Sequence, residues 1–149
     1  MLSADAPLVL LQHGGLDNLS GKTGLAMLRY RQGPIVAVID PAHAGADLQA
    51  LTGISRPVPV VADMQAALAY GPSAAVVGLA PSGGRLPPEM RADVRRALEA
   101  GLNLASGLHS RLAADPDFAA VPLQQGQWIW DLRQEPAALE VAAARCAQL

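Results

Sequence analysis

At 149 residues the chain is long enough for one domain with a real core, and its formal net charge of −2 argues against nucleic acid or an anionic membrane as partner. Hydrophobic residues make up 51% of it and aromatic ones only 3%, so the core must be built from Ala, Val, Leu and Ile, as in sheets covered by helices on both faces. The single cysteine, Cys146, excludes an internal disulfide and fits a reducing compartment. There is no basic n-region and no apolar run near the roughly 20 residues of a membrane span, so a soluble, cytoplasmic protein is expected.

The first apolar run, 8–12, reads as a strand buried on both faces. HGGLDNLSGKTG follows it, from His13 to Gly24, and a helix is predicted over 22–31. A strand, a glycine turn and a helix start in that order make an anion site, because the helix N-terminus offers unpaired N–H groups and a favourable dipole. Gly14, Gly15, Asn18, Ser20, Gly21, Lys22 and Thr23 are therefore candidate ligand-binding residues. The stretch matches neither familiar fingerprint. A P-loop needs glycine where Leu16 stands, and G-x-G-x-x-G is absent. The expectation is an anionic-ligand cradle of non-standard build.

The second strand, 35–40, ends in Asp40, which carries three open readings. It could bind a ribose, help hold Mg²⁺, or cap the turn at Pro41. Residues 41–57 are loop-rich, with a short helix around 46–51. A strand at 58–61, a helix at 63–69 and a strand at 74–79 come next. APSGGRLPPE then offers the Gly83 and Gly84 N–H groups to an oxyanion, beside Ser82 and Arg85.

The helix at 88–100 is the clearest element. Pro87-Pro88-Glu89 starts it, Met90, Val94, Ala97 and Leu98 form one apolar stripe, and Gly101 ends it. Arg91, Arg95 and Glu99 fall on its other side, and Arg95-Arg96 reads as a wet face. Helix–glycine–strand junctions of the same kind are read at Gly33-Pro34 and Gly71-Pro72. A strand at 102–106 precedes His109 and Arg111. The last strand, 128–132, carries Asp131 near its end and Trp128 and Trp130, a core or interface pair. Residues 136–149 are Ala-rich and expected to form a helical linker after a domain spanning 1–135. The order predicts an α/β fold: an open, doubly wound, mainly parallel sheet of Rossmann type with about six strands.

In such a sheet ligands bind beyond the carboxyl ends of the strands. His13, His43 and His109 all fall there, whereas helix bodies carry no histidine. Imidazole suits proton transfer near neutral pH, so these three are the catalytic candidates. Each also has an ordinary reading as a local hydrogen-bond partner, and Lys22 as a solvated residue. No H-x-x-x-H pair occurs, so no metal site is expected.

HGGLDNLSGKTGLAMLRY, VAVIDPAHAG, GLAPSGGRLPPE, GLHSRLA and GQWIWDLRQEP together resemble the amino-terminal domain of a bacterial family. Its characterised branch is of the D-glutamate N-acetyltransferase type. Longer members add a P-loop domain, so the resemblance implies that domain as a missing or separate partner and a chain that is not competent alone. It assigns no catalytic residue. The implied chemistry is acetyl transfer from acetyl-CoA to the amine of D-glutamate; from residue type and strand-end position alone, His13, His43 and His109 are the candidates for its base. Gly83 and Gly84 would serve as oxyanion donors, and Lys22, Arg85 or Arg111 would hold carboxylates. The ligand is thus a small anion: acetyl-CoA, a nucleotide or a dicarboxylic amino acid. The rival reading is a non-catalytic module that binds a nucleotide or amino acid for the P-loop domain. Homo-oligomerisation stays open.

Overall fold

Strands buried on both faces send their side chains into two core layers, one on each side of a single sheet. The computed structural model describes residues 5–16, 21–79, 86–106 and 112–131. Its strands are β1 (Leu8–Leu11), β2 (Ile35–Ile39), β3 (Val60–Val61), β4 (Ala74–Val77), β5 (Asn103–Ser106) and β6 (Ile129–Asp131). The helices are α1 (Lys22–Tyr30), α2 (Leu48–Thr52), α3 (Met64–Leu68), α4 (Pro88–Glu99) and α5 (Pro116–Ala119). The strands form one sheet in the order β3-β2-β1-β4-β5-β6, and every pairing is parallel. This is the doubly wound arrangement the sequence predicts. The strand order reverses between β1 and β4, and in open α/β sheets ligands bind beyond the carboxyl ends at such a point.

All four residues of β1 are fully buried, as a central parallel strand requires. Val9 and Leu11, with Ala37 and Ile39 of β2, pack on Met64 and Ala67 of α3 and on Met90, Val94 and Leu98 of α4. Leu8 and Leu10, with Ile35 and Val38, pack on Leu28 of α1 and Leu48 of α2. The period-two alternation of β1 side chains makes this split, and the irregular register of the β1–β2 pairing between Leu8 and Val9 puts Ile35 out of step with the rest of β2. Trp128 packs against the second layer and meets Trp130 edge to face at 6.4 Å, while Trp130 stays 37% exposed.

Two local expectations need correction. Gly71 and Gly101 take positive φ of 72° and 89°, but Gly33 does not, so α1 lacks the glycine exit read at Gly33-Pro34. The chain leaves α1 through an extended Arg31 instead, and the Arg56 guanidinium donates to the carbonyls of Leu28, Arg31 and Gly33. A side chain does there what a left-handed residue does elsewhere. The strand read at 58–61 shrinks to Val60–Val61. Pro57 and Pro59 have no N–H to give to a ladder, although the Pro59 carbonyl still accepts from Val38 N. The short helix expected around 46–51 is α2, capped by Asp47, whose carboxylate accepts from Gln49 N. The helix expected at 136–149 lies outside the described residues. Among them, no helix is long and apolar enough to cross a membrane.

Candidate functional site

The glycine turn after β1 is built around a residue that sequence reasoning passed over, Gln12. Its N–H donates to Ile39 O, which keeps β1 paired with β2, and its carbonyl accepts from Gly15 N at 2.7 Å. Gly14 makes the bend with φ 72°. The fully buried Gln12 side chain then crosses to the start of α1, where Nε2 donates to Gly21 O at 3.1 Å. A Cβ at Gly21, Gly24 or Gly78 would overlap that amide, and one at Gly15 would strike Leu79 and Gly21. These glycines let the first turn of α1 press backbone to backbone on β4, where Gly24 N donates to Gly78 O at 3.2 Å. Gly15 and Gly21, read from sequence as ligand-binding, are both buried in this packing. Lys22 and Thr23 are exposed in the first turn of α1, and Asn18 and Ser20 lie outside the described residues.

Two imidazole–carboxylate pairs stand at the adjoining strand ends. Asp40, 0% exposed, ends β2 and caps a 3-10 turn at Pro41–His43. Its Oδ1 accepts from Gly14 N and Ala42 N, both at 3.1 Å, and its Oδ2 lies 2.7 Å from His43 Nδ1. Of the three readings of Asp40, the turn cap is the one its contacts fulfil; the same contacts also tie the ends of β1 and β2 together. His13 turns towards α4, its Nε2 2.6 Å from Asp93 Oδ2. Asp93 Oδ1 accepts from Met64 N at 2.9 Å, at the first residue of α3. His13 Nδ1 is buried and has no hydrogen-bond partner among the described residues.

A cleft of about 310 Å³ opens against these groups, lined by His13, Gly14, Asp40, Pro41, Ala42, Pro87 and Glu89. The lining carries carboxylates and an imidazole, with no lysine or arginine among the described residues. That is a setting for a cationic or proton-bearing group. A bare anion would face Asp40 and Glu89.

Asp93 was the second residue missed, although its signal was present. It sits three residues after Met90 and four before Ala97, inside the apolar stripe of α4. A buried carboxylate in such a stripe needs partners, and here they are His13 and the start of α3. Asp131, 2% exposed at the end of β6, accepts from Leu112 N at 2.8 Å and so anchors the segment after β5. His109, Arg111, Ser82, Gly83, Gly84 and Arg85 lie outside the described residues. No cluster of three or more metal-ligating side chains occurs among the described residues.

Comparison with known proteins fits this architecture. A family described as "Domain of unknown function (DUF1611_N) Rossmann-like domain" matches residues 41–135. A D-glutamate N-acetyltransferase from Tritonibacter scottomollicae is 32% identical over 129 residues, which is 87% of this chain and 36% of that protein. The crystal structure of a DUF1611 family protein from Anabaena variabilis superposes with a TM-score of 0.85 at 48% identity, covering 91% of this chain and 39% of the other. The chain therefore spans little more than a third of the length of either relative. By its doubly wound sheet and its matched sequence alike, the chain belongs to the DUF1611_N family of Rossmann-like domains.

Proposed function

We propose that this domain is the amine-binding part of an N-acetyltransferase whose acceptor is D-glutamate or a close dicarboxylic analogue and whose donor is acetyl-CoA. The observation that carries the reading is the lining of the cleft: Asp40, Glu89 and His13 surround a space beside the glycine turn. An α-ammonium group is the part of an amino acid that such a lining attracts. The substrate carboxylates would turn to the start of α1, where Lys22 is exposed and the helix dipole is favourable. Arg85 and Arg111 are the further cations proposed for that end. The remainder of the enzyme, a P-loop domain in this reading, would bring much of the donor site. The name of the Tritonibacter relative supports the choice of acceptor.

Calorimetric titration of the chain with D-glutamate and with glutarate tests this directly. Glutarate keeps both carboxylates and lacks the amine. A charge-assisted contact is worth about 1.5–3 kcal/mol, so glutarate should bind about ten- to a hundredfold more weakly. Equal affinity for the two would remove the amine from the cleft and end the proposal.

A further inference from the structure

We propose that His13 accepts the ammonium proton of the substrate through Nδ1, and that Asp93 is the positioning residue that holds the neutral ring in the Nε2–H tautomer and so leaves the lone pair on Nδ1. The inference rests on the reading of the cleft as an amine site. It starts from the carboxylate of Asp93, which accepts hydrogen bonds and donates none when ionised. Oδ1 takes the Met64 N–H and Oδ2 stands 2.6 Å from His13 Nε2, so Nε2 carries the hydrogen. In neutral imidazole the other nitrogen then holds the lone pair. That nitrogen, Nδ1, has no hydrogen-bond partner among the described residues, and the side chain is only 7% exposed. His13 is also a lining residue of the cleft.

A purely architectural tie between β1 and α4 explains Nε2 and leaves Nδ1 as an unpaired buried acceptor, which folded proteins avoid. A ligand that donates a proton resolves it. The geometry is that of a base oriented by a carboxylate, with the two ring nitrogens dividing the roles. In the first step a proton passes from the substrate ammonium to Nδ1, giving an imidazolium whose Nε2–H stays on Asp93. The freed amine attacks the carbonyl carbon of the acetyl thioester, the C–N bond forms and the C–S bond breaks. The second amine proton leaves with the coenzyme A thiolate as its thiol, and the imidazolium returns its proton to solvent.

The test is ¹⁵N NMR of the histidine-labelled chain, free and with D-glutamate, glutarate or n-butylammonium. In the free protein His13 should show a protonated Nε2 and a bare, pyridine-like Nδ1. D-Glutamate should move the Nδ1 signal towards the protonated position, and glutarate should leave it in place. Asp93→Asn keeps an acceptor for Met64 N–H and can turn its amide NH₂ towards Nε2. It should therefore flip His13 to the Nδ1–H tautomer and abolish the response, with the fold retained by circular dichroism. If D-glutamate fails to bind but n-butylammonium still moves Nδ1, the choice of acceptor falls while the base stands. A protonated Nδ1 in the free protein overturns the inference, as does a signal that no amine shifts or a response that survives in Asp93→Asn.

Discussion

Alanine in place of glycine inside a helix ordinarily stabilises it by about 0.8–1.0 kcal/mol. Gly24→Ala should do the opposite here. Gly24 lies in the first turns of α1, and the nearest atoms to a Cβ built on it all belong to the Gln12 amide: Oε1, Cδ and Nε2. That amide is fully buried and hydrogen-bonded to Gly21 O, so it has no free space to yield. Overpacking of this kind costs about 1–3 kcal/mol, enough to outweigh the gain in helix propensity. The expected net loss is up to about 2 kcal/mol, or up to roughly 8 °C in Tm for a domain of this size. Gln12→Ala removes all three clashing atoms, at its own cost of a cavity and an unpaired Gly21 carbonyl. In that background Gly24→Ala should become neutral or stabilising. Urea unfolding of the four proteins closes the cycle, with a coupling of about 1–3 kcal/mol expected. A stabilising Gly24→Ala in the native background would refute the packing argument. So would additivity within about 0.5 kcal/mol.

Three further outcomes follow from contacts described above. Arg56→Ala strips the exit of α1 of its donor to three carbonyls and should cost about 2–3 kcal/mol by chemical denaturation, with a smaller loss for Arg56→Lys. Arg91, paired with Asp115 at 2.9 Å and 3.0 Å, holds that carboxyl below its usual range, so its stabilisation is complete above about pH 4 and is lost as the pH falls through the lowered folded value. Asp115→Asn should therefore show a shallower decline in stability between neutral and strongly acidic solution, and an unchanged acid limb would count against the pair. Lys22→Ala should leave Tm level or raise it slightly, by the equivalent of about 0.3–1 kcal/mol, because a cation opposes the dipole at the start of α1. The same change should weaken binding of a dicarboxylate about ten- to a hundredfold at low salt by calorimetric titration, and an unchanged affinity would remove Lys22 from the proposed site.

The strands of this fold were readable because burial on both faces leaves long apolar runs, and β1 and β2 carry them almost without a polar residue. The order of the sheet followed from alternation with helices, as in the stripe of Met90, Val94, Ala97 and Leu98. Long-range polar contacts were harder to see. His13 and Asp93 are 80 residues apart, and no local pattern joins them; only the misplaced charge within an apolar stripe points that way. Gln12 reads as the polar end of a strand, and its role depends on three glycines, Gly21 and Gly24 at the start of α1 and Gly78 after β4, meeting around its amide. The Arg56 cap was hidden for a similar reason, since a guanidinium from a distant loop replaces a residue expected nearby. Gly14 and Asp40, by contrast, were singled out for different purposes and prove to be joined at 3.1 Å.

The strand reversal between β1 and β4 has a consequence for how the molecule assembles. The first half, β1 to β3, and the second, β4 to β6, each form through short crossovers, and the pairing of β1 with β4 joins them. Pairings of that range form slowly, because the intervening chain must be ordered before they contribute. His13 belongs to the first half and Asp93 to the second, so their contact exists only after this docking. The Gly24 N–H to Gly78 carbonyl bond crosses the same seam. A ligand seated on His13 would therefore bind only the docked form and, by mass action, draw the two halves together. Substrate would then act as a folding cofactor as well as a reactant, slowing the opening of the seam in hydrogen exchange more than that of either half.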